Sequence, residues 1–181
     1  MKNTGHVERA QNGHSMKTKN GLHFTRNTLP LATRQTAVHL LNTTVAELLD
    51  LFARIKQAHW NLRGLSFIGL HKLLDEFAAT TLADIDEVAE RATALGGVID
   101  GTLREAAKQS HLNRREEPAS RSGLTDWIHE LADSHATAST HIRKAVKQLT
   151  DAEDFGTADL LTEVLKHVEK QLWLLEAHIQ K

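Results

Sequence analysis

Residues 57–77, QAHWNLRGLSFIGLHKLLDEF, place two histidines and two carboxylates among Leu, Ile, Phe and Trp. Burying an imidazole without a partner is costly, so His59 and His71 need a task. His71 and Asp75 are four residues apart, and so are Asp86 and Glu90 further along the same periodic segment. On a helix, an i,i+4 pair turns both side chains to one face within reach of one cation. Counting about 100° per residue from His71, Asp75 falls near 40°, Asp86 near 60° and Glu90 near 100°. The apolar stripe of the segment centres near 270° on the same count, so the four polar residues share a face that is not the core face.

One helix cannot close both pairs on one ion. Their midpoints are 15 residues apart, roughly 22 Å at the helical rise. A second copy running antiparallel across a twofold axis can bring Asp86/Glu90 opposite His71/Asp75, and the reverse. The axis would cross near Ala78, Ala79 and Leu82, where small residues allow close approach. The spacing therefore predicts a symmetric dimer with two equivalent metal sites at its interface. His59, from the preceding helix, would complete each site. The chain has no cysteine, so any metal is held by nitrogen and oxygen, a donor set that suits iron, zinc or manganese.

Other pairs at ligand spacing read differently. His135 lies on an apolar stripe and reads as a core histidine. Glu163/His167 and His129/Asp133 lie off the stripes and read as solvated faces.

These residues need long helices to position them. The 181 residues are 40% hydrophobic, with 22 basic and 23 acidic residues, two prolines and no tyrosine. That composition suits one α-rich domain, and its near-zero net charge names no partner. The absence of cysteine fits a cytoplasmic protein. No apolar run is long enough for a membrane span. Periodicity predicts helices over about Thr33–Leu62, Ile68–Leu95, from Thr125 as N-cap, and from Gly156-Thr157 to the C-terminus. A short helix is expected in GTLREAAKQS, within a long second-to-third connection that continues as the loop HLNRREEPASRSG. The expected stripes are Leu70, Leu73, Phe77, Thr81, Ile85 and Val88 on the second helix, and Leu161, Leu165, Val168, Leu172 and Leu175 on the fourth. The architecture is an all-α four-helix bundle with a crossover. Residues 1–30 read as a flexible tail and 31–181 as the bundle. Lys2, Arg9, Lys17, Lys19 and Arg26 against Glu8 give the segment 1–28 a net charge of +4. Met16 offers an alternative start.

KQAHWNLRG, FIGLHKLLDEF and DIDEVAERATALGG resemble the Dps family of bacterial mini-ferritins, the DNA-binding proteins from starved cells. TADLLTEVLKHVEKQLWLLEAHIQ resembles the family's last helix. The likeness spans roughly residues 30–181. It implies a ferritin-like bundle assembled into a hollow dodecamer of twofold dimers. It also implies a ferroxidase that oxidises Fe(II), preferably with hydrogen peroxide, and stores ferric mineral. His59, His71 and Asp75 of one subunit would form the site with Asp86 and Glu90 of the partner subunit. Trp60 matches the family's tryptophan beside the site, a radical trap or else an interface aromatic. Asp126, Glu130 and Asp133 fall where the family has an acidic pore; an acidic helix N-terminus is the alternative. Family members often bind DNA through mobile basic termini, and here the N-terminal residues Lys2, Arg9, Lys17, Lys19 and Arg26 would make that contact. The third alternative is a metal-sequestering scaffold without turnover, holding zinc.

Overall fold

The computed structural model describes residues 21–112 and 123–180. All regular elements among them are helices: α1 (Leu31–Asn61), α2 (Phe67–Ala94), α3 (Leu103–Gln109), α4 (Leu124–Asp151) and α5 (Phe155–Glu176). α1 packs on α2 and α4 on α5. The two hairpins meet through α1 against α4 and α2 against α5, while α3 lies on α1. This is the expected bundle with a short helix in its crossover. No helix among the described residues is long and apolar enough to cross a membrane.

The core follows the helical repeat. Leu41, Leu48, Leu51 and Ile55 of α1, Leu70 and Leu74 of α2, Trp127, Leu131 and Ile142 of α4, and Leu161 of α5 are all sealed from solvent. Each such aliphatic side chain contributes about 1.5–3 kcal/mol by leaving water. The stripes differ in detail from expectation. In α2, Leu74 and Ala78 are buried, whereas Leu73 and Ile85 pack only partly against the core. In α5 the seam runs through Ala158, Leu161, Val164, Val168, Gln171 and Leu175, so Leu165 and Leu172 stand at its margin. These shifts of one position put each seam where the helix meets its two neighbours, α1 and α5 for α2 and α4 and α2 for α5.

The starts of α4 and α5 are set by carboxylates. α4 begins at Leu124, not after Thr125, because Asp126 Oδ2 accepts the Gly123 backbone N–H at 2.8 Å. α5 begins before Gly156: Asp154 is its N-cap, accepting from the Thr157 N–H at 3.1 Å and the Thr157 hydroxyl at 2.6 Å. Asp154 is 1% exposed and also receives Arg91 Nη2 of α2 at 2.9 Å. The cap thus ties the two hairpins together.

The expected tail does not stay free throughout. Leu22 is buried, and the His23 N–H donates to Gly96 O at 2.6 Å. Gly96 permits this close approach. Its φ is +87°, and a Cβ there would come within 2.5 Å of His23 O. Leu22 and His23 therefore sit against the bundle, because an apolar side chain and a backbone donor both find partners there. Lys2, Arg9, Lys17 and Lys19 lie outside the described residues, as does most of the HLNRREEPASRSG loop.

Candidate metal centre

The end of α1 and the start of α2 face each other across the turn at residues 62–66. α1 contributes Lys56, His59 and Trp60; α2 contributes Phe67, His71 and Asp75. His59 Nδ1 lies 2.9 Å from His71 O, and His71 Nδ1 lies 3.1 Å from His59 O. A carbonyl can only accept, so both Nδ1 atoms carry the proton. With Nδ1 donating to a carbonyl, Nε2 of each ring is the nitrogen left for a ligand bond, as in many metal-binding histidines. The rings stack with centroids 3.7 Å apart and 20° between planes. Phe67 closes over His71 at 4.9 Å.

His59, His71 and Asp75 each offer one ligand atom, all within 4.8 Å of one another, the one such group among the described residues. His59 is buried, His71 half-buried and Asp75 exposed. Two imidazoles and one carboxylate on a single face leave positions open, as reactions at a metal require. The donor set therefore fits iron, and zinc equally.

Lys56 was not anticipated from sequence. Its Nζ donates to Asp75 Oδ1 at 2.7 Å. That hydrogen bond, helped by the nearby His59 and His71 and opposed by desolvation, holds the Asp75 carboxyl below its ordinary value. The ammonium stands in the neighbourhood a cation would take. The signal was its i,i+3 spacing to His59, which sets both on one face. Trp60 is 70% exposed, with Lys56 Nζ 6.0 Å from its ring centroid.

Asp86 and Glu90 are exposed on the same helix. α2 is continuous from Phe67 to Ala94, so within one chain they stay well away from His71 and Asp75. Between the two pairs lies a shallow groove lined by Ala79, Leu82, Ala83, Ile85, Asp86 and Ala89. Ala78, expected at the centre of this face, is instead 4% exposed in the core. Its i+4 and i−4 neighbours include the buried Leu74, which fixes its side. Ala83 takes its place on the open face.

The remaining sites are mixed. His135 is a satisfied core histidine, with Nδ1 donating to Leu131 O at 2.6 Å and Nε2 3.0 Å from the Gln171 amide. Burial pushes its imidazole below the ordinary value. His167 is not merely solvated. Its Nδ1 meets Asp84 Oδ1 of α2 at 2.9 Å, while Glu163 lies 3.4 Å from Nε2. His129 and Asp133 are exposed, as is Asp126, and Glu130 is half-buried. Arg26 is exposed near the start of the described segment.

Residues 38–181 match the model of the ferritin-like domain named Ferritin. The chain is 36% identical over 159 residues to the DNA protection during starvation protein of Agrobacterium fabrum, covering 88% of this chain and 97% of that one. The chain belongs to the Dps family. Solved Dps structures share its fold. DpsC from Streptomyces coelicolor superposes with a TM-score of 0.85 at 30% identity, covering 92% of this chain and 96% of its own. Dps from Mycobacterium smegmatis gives 0.82 at 27% identity, covering 87% and 95%. The resemblance carried by the histidine and carboxylate segments thus extends over the whole bundle, and this Dps chain carries its clustered donors at the α1–α2 end.

Proposed function

We propose that this chain oxidises Fe(II) and stores the ferric product inside a dodecameric cage. The single observation that carries the reading is the cluster of His59, His71 and Asp75, each offering one ligand atom within 4.8 Å of the others. His59, His71 and Asp75 would hold Fe(II) as substrate together with Asp86 and Glu90 of the partner subunit. The exposure of those two carboxylates, and the small-residue groove before them, support a twofold mate lying across α2. Entry of the cation displaces the Lys56 ammonium from Asp75, exchanging one positive charge for another. Carboxylates then favour the higher charge of the ferric product.

The oxidant proposed is hydrogen peroxide. Two Fe(II) ions give one electron each, the O–O bond takes both, and two protons complete two waters. Delivering both electrons at one paired site avoids releasing hydroxyl radical. Trp60, exposed beside the site, would intercept stray oxidising equivalents. Asp126, Glu130 and Asp133 would draw Fe(II) in through a pore by their field. Function in the cytoplasm follows from the same reading.

The test is stopped-flow absorbance after anaerobic Fe(II) loading and a peroxide pulse, against a protein-free control. The expected result is fast oxidation that His71→Ala and Asp75→Ala abolish while helicity by circular dichroism is kept. Both groups sit at the bundle's rim, so their removal leaves the core intact. Metal uptake with no turnover in the unmutated chain would favour a sequestering scaffold, with zinc as the occupant. Rates unaffected by both substitutions would refute the site.

A second reading has its own observation. The segment 1–28 carries a net +4 on a chain that is otherwise slightly acidic, and the Agrobacterium relative is named for protecting DNA. Non-specific DNA binding through this segment is proposed as a further property, with avidity from many copies on one cage.

A further inference from the structure

Glu47 lies in the middle of α1 with its side chain 3% exposed. A carboxylate taken out of water needs compensating charge. Two imidazoles from different parts of the chain converge on the same oxygen. His141 Nδ1 of α4 is 2.8 Å from Glu47 Oε1, and His111 Nδ1, just past α3, is 3.2 Å away. The two rings are nearly perpendicular, with centroids 5.9 Å apart. We propose that Glu47, His111 and His141 form a second binding site, for a divalent transition-metal ion of the zinc class, which staples the crossover to the bundle.

The chemistry matches. Two imidazoles and a carboxylate are the ligands borderline divalent cations take. With bonds of about 2.0–2.2 Å, neighbouring ligand atoms around such an ion stand roughly 3 Å apart, and both nitrogen–oxygen separations at Glu47 are of that size. The two nitrogens do not lie within 4.8 Å of each other, so one ring must close in. His111, with its side chain 65% exposed, is free to turn, whereas Glu47 is fixed in the floor and His141 is half-buried. Binding replaces two N–H···O contacts with metal bonds and places a dication over a buried anion.

The backbone around His111 is already set. Ser110 Oγ donates to Asp50 Oδ2 at 2.7 Å and accepts the Leu112 N–H at 3.2 Å. Leu112 is buried, and Asp50 is held in turn by Nε and Nη2 of Arg54. Only the imidazole has to move, which keeps the ordering cost small. The site lies on the α1–α4 side and shares no residue with the His59–His71–Asp75 centre. Through His111 it is tied to the crossover, so its occupancy would hold residues 110–112 more firmly on the bundle.

The experiment uses the full chain carrying His71→Ala and Asp75→Ala, which silences the other centre. Zinc is titrated calorimetrically, and protease cleavage of the crossover is followed with and without zinc. The expected result is one zinc per chain, with slower crossover cleavage when zinc is present. Adding His111→Ala should weaken binding roughly tenfold or more and remove the protection. Because His111 is exposed, that variant keeps its fold, which circular dichroism checks. His141→Ala should act in the same way. Absence of zinc binding in the silenced background would overturn the proposal. So would binding that His111→Ala leaves unchanged, which would place the zinc elsewhere.

Discussion

If the iron centre is shared across a twofold axis, two dead variants should rescue each other. One chain carries His71→Ala and Asp75→Ala; the other carries Asp86→Ala and Glu90→Ala. The magnitude follows from α2. The helix is unbroken from Phe67 to Ala94, so the two pairs, 15 residues apart at their midpoints, are roughly 22 Å apart along its axis. Ligands of one ion lie only about 2.0–2.2 Å from it, so no single chain joins the pairs. Each variant alone therefore lacks half of every site and should show no oxidation above the protein-free rate. After unfolding, mixing in equal amounts and reassembly, about half of the dimers pair one chain of each kind. In such a dimer one of the two interface sites receives both defective halves. The other receives intact His71/Asp75 from one chain and intact Asp86/Glu90 from its mate. About a quarter of all sites should revive. The assay is the initial rate of peroxide-driven Fe(II) oxidation per chain, with subunit exchange verified by mass-tagged chains. Mixed dimers that remain inactive would refute the twofold arrangement.

Three further outcomes are expected. His135 is buried with its pKa below 6.5, so the unfolded chain binds the extra proton first as pH falls. Its contribution is intact above the unfolded value and is lost as pH falls below about 6.5, at up to about 1.4 kcal/mol per pH unit. Urea midpoints should therefore drop between pH 7 and 5 more steeply for the natural chain than for His135→Leu, and parallel profiles would contradict this. Asp126→Asn, Glu130→Gln and Asp133→Asn together should slow Fe(II) uptake most at low ionic strength, where screening is least. The Asn at 126 retains a cap for α4, so an unchanged low-salt rate would remove the pore reading rather than report misfolding. Deleting residues 1–20, which spares the buried Leu22 and the His23–Gly96 contact, should flatten the salt dependence of DNA binding while leaving iron oxidation intact. Failure of the full chain to shift linear DNA even at low salt would exclude that route.

The arrangement of long helices was legible in the chain because amphipathic periodicity is local. Leu41, Leu48 and Ile55 declare the buried side of α1 by their spacing, and Gly96 declares the end of α2 by the backbone conformation it permits. The helix starts were less legible. Asp126 and Asp154 were visible as residues, but which backbone N–H each would cap depends on the path of the preceding turn. The local pattern points instead to Thr125 as N-cap and to Gly156-Thr157 as the opening of the last helix.

The sequence by itself determined the donor types, their shared face on α2 and the distance that keeps Asp86 and Glu90 from reaching His71 and Asp75 within one chain. Those are consequences of a fixed helical rise and turn, so no tertiary information was needed. Tertiary structure decided what long-range packing alone can bring together. It set the two imidazoles in reciprocal contact with each other's backbone. It laid Lys56 on Asp75, moved Ala78 into the core, and paired His167 with Asp84 across α2 and α5. It also brought Glu47, His111 and His141 to one point from positions 64 and 94 residues apart. No local pattern marks such a meeting, because side chains distant in sequence become neighbours only once the helices have packed.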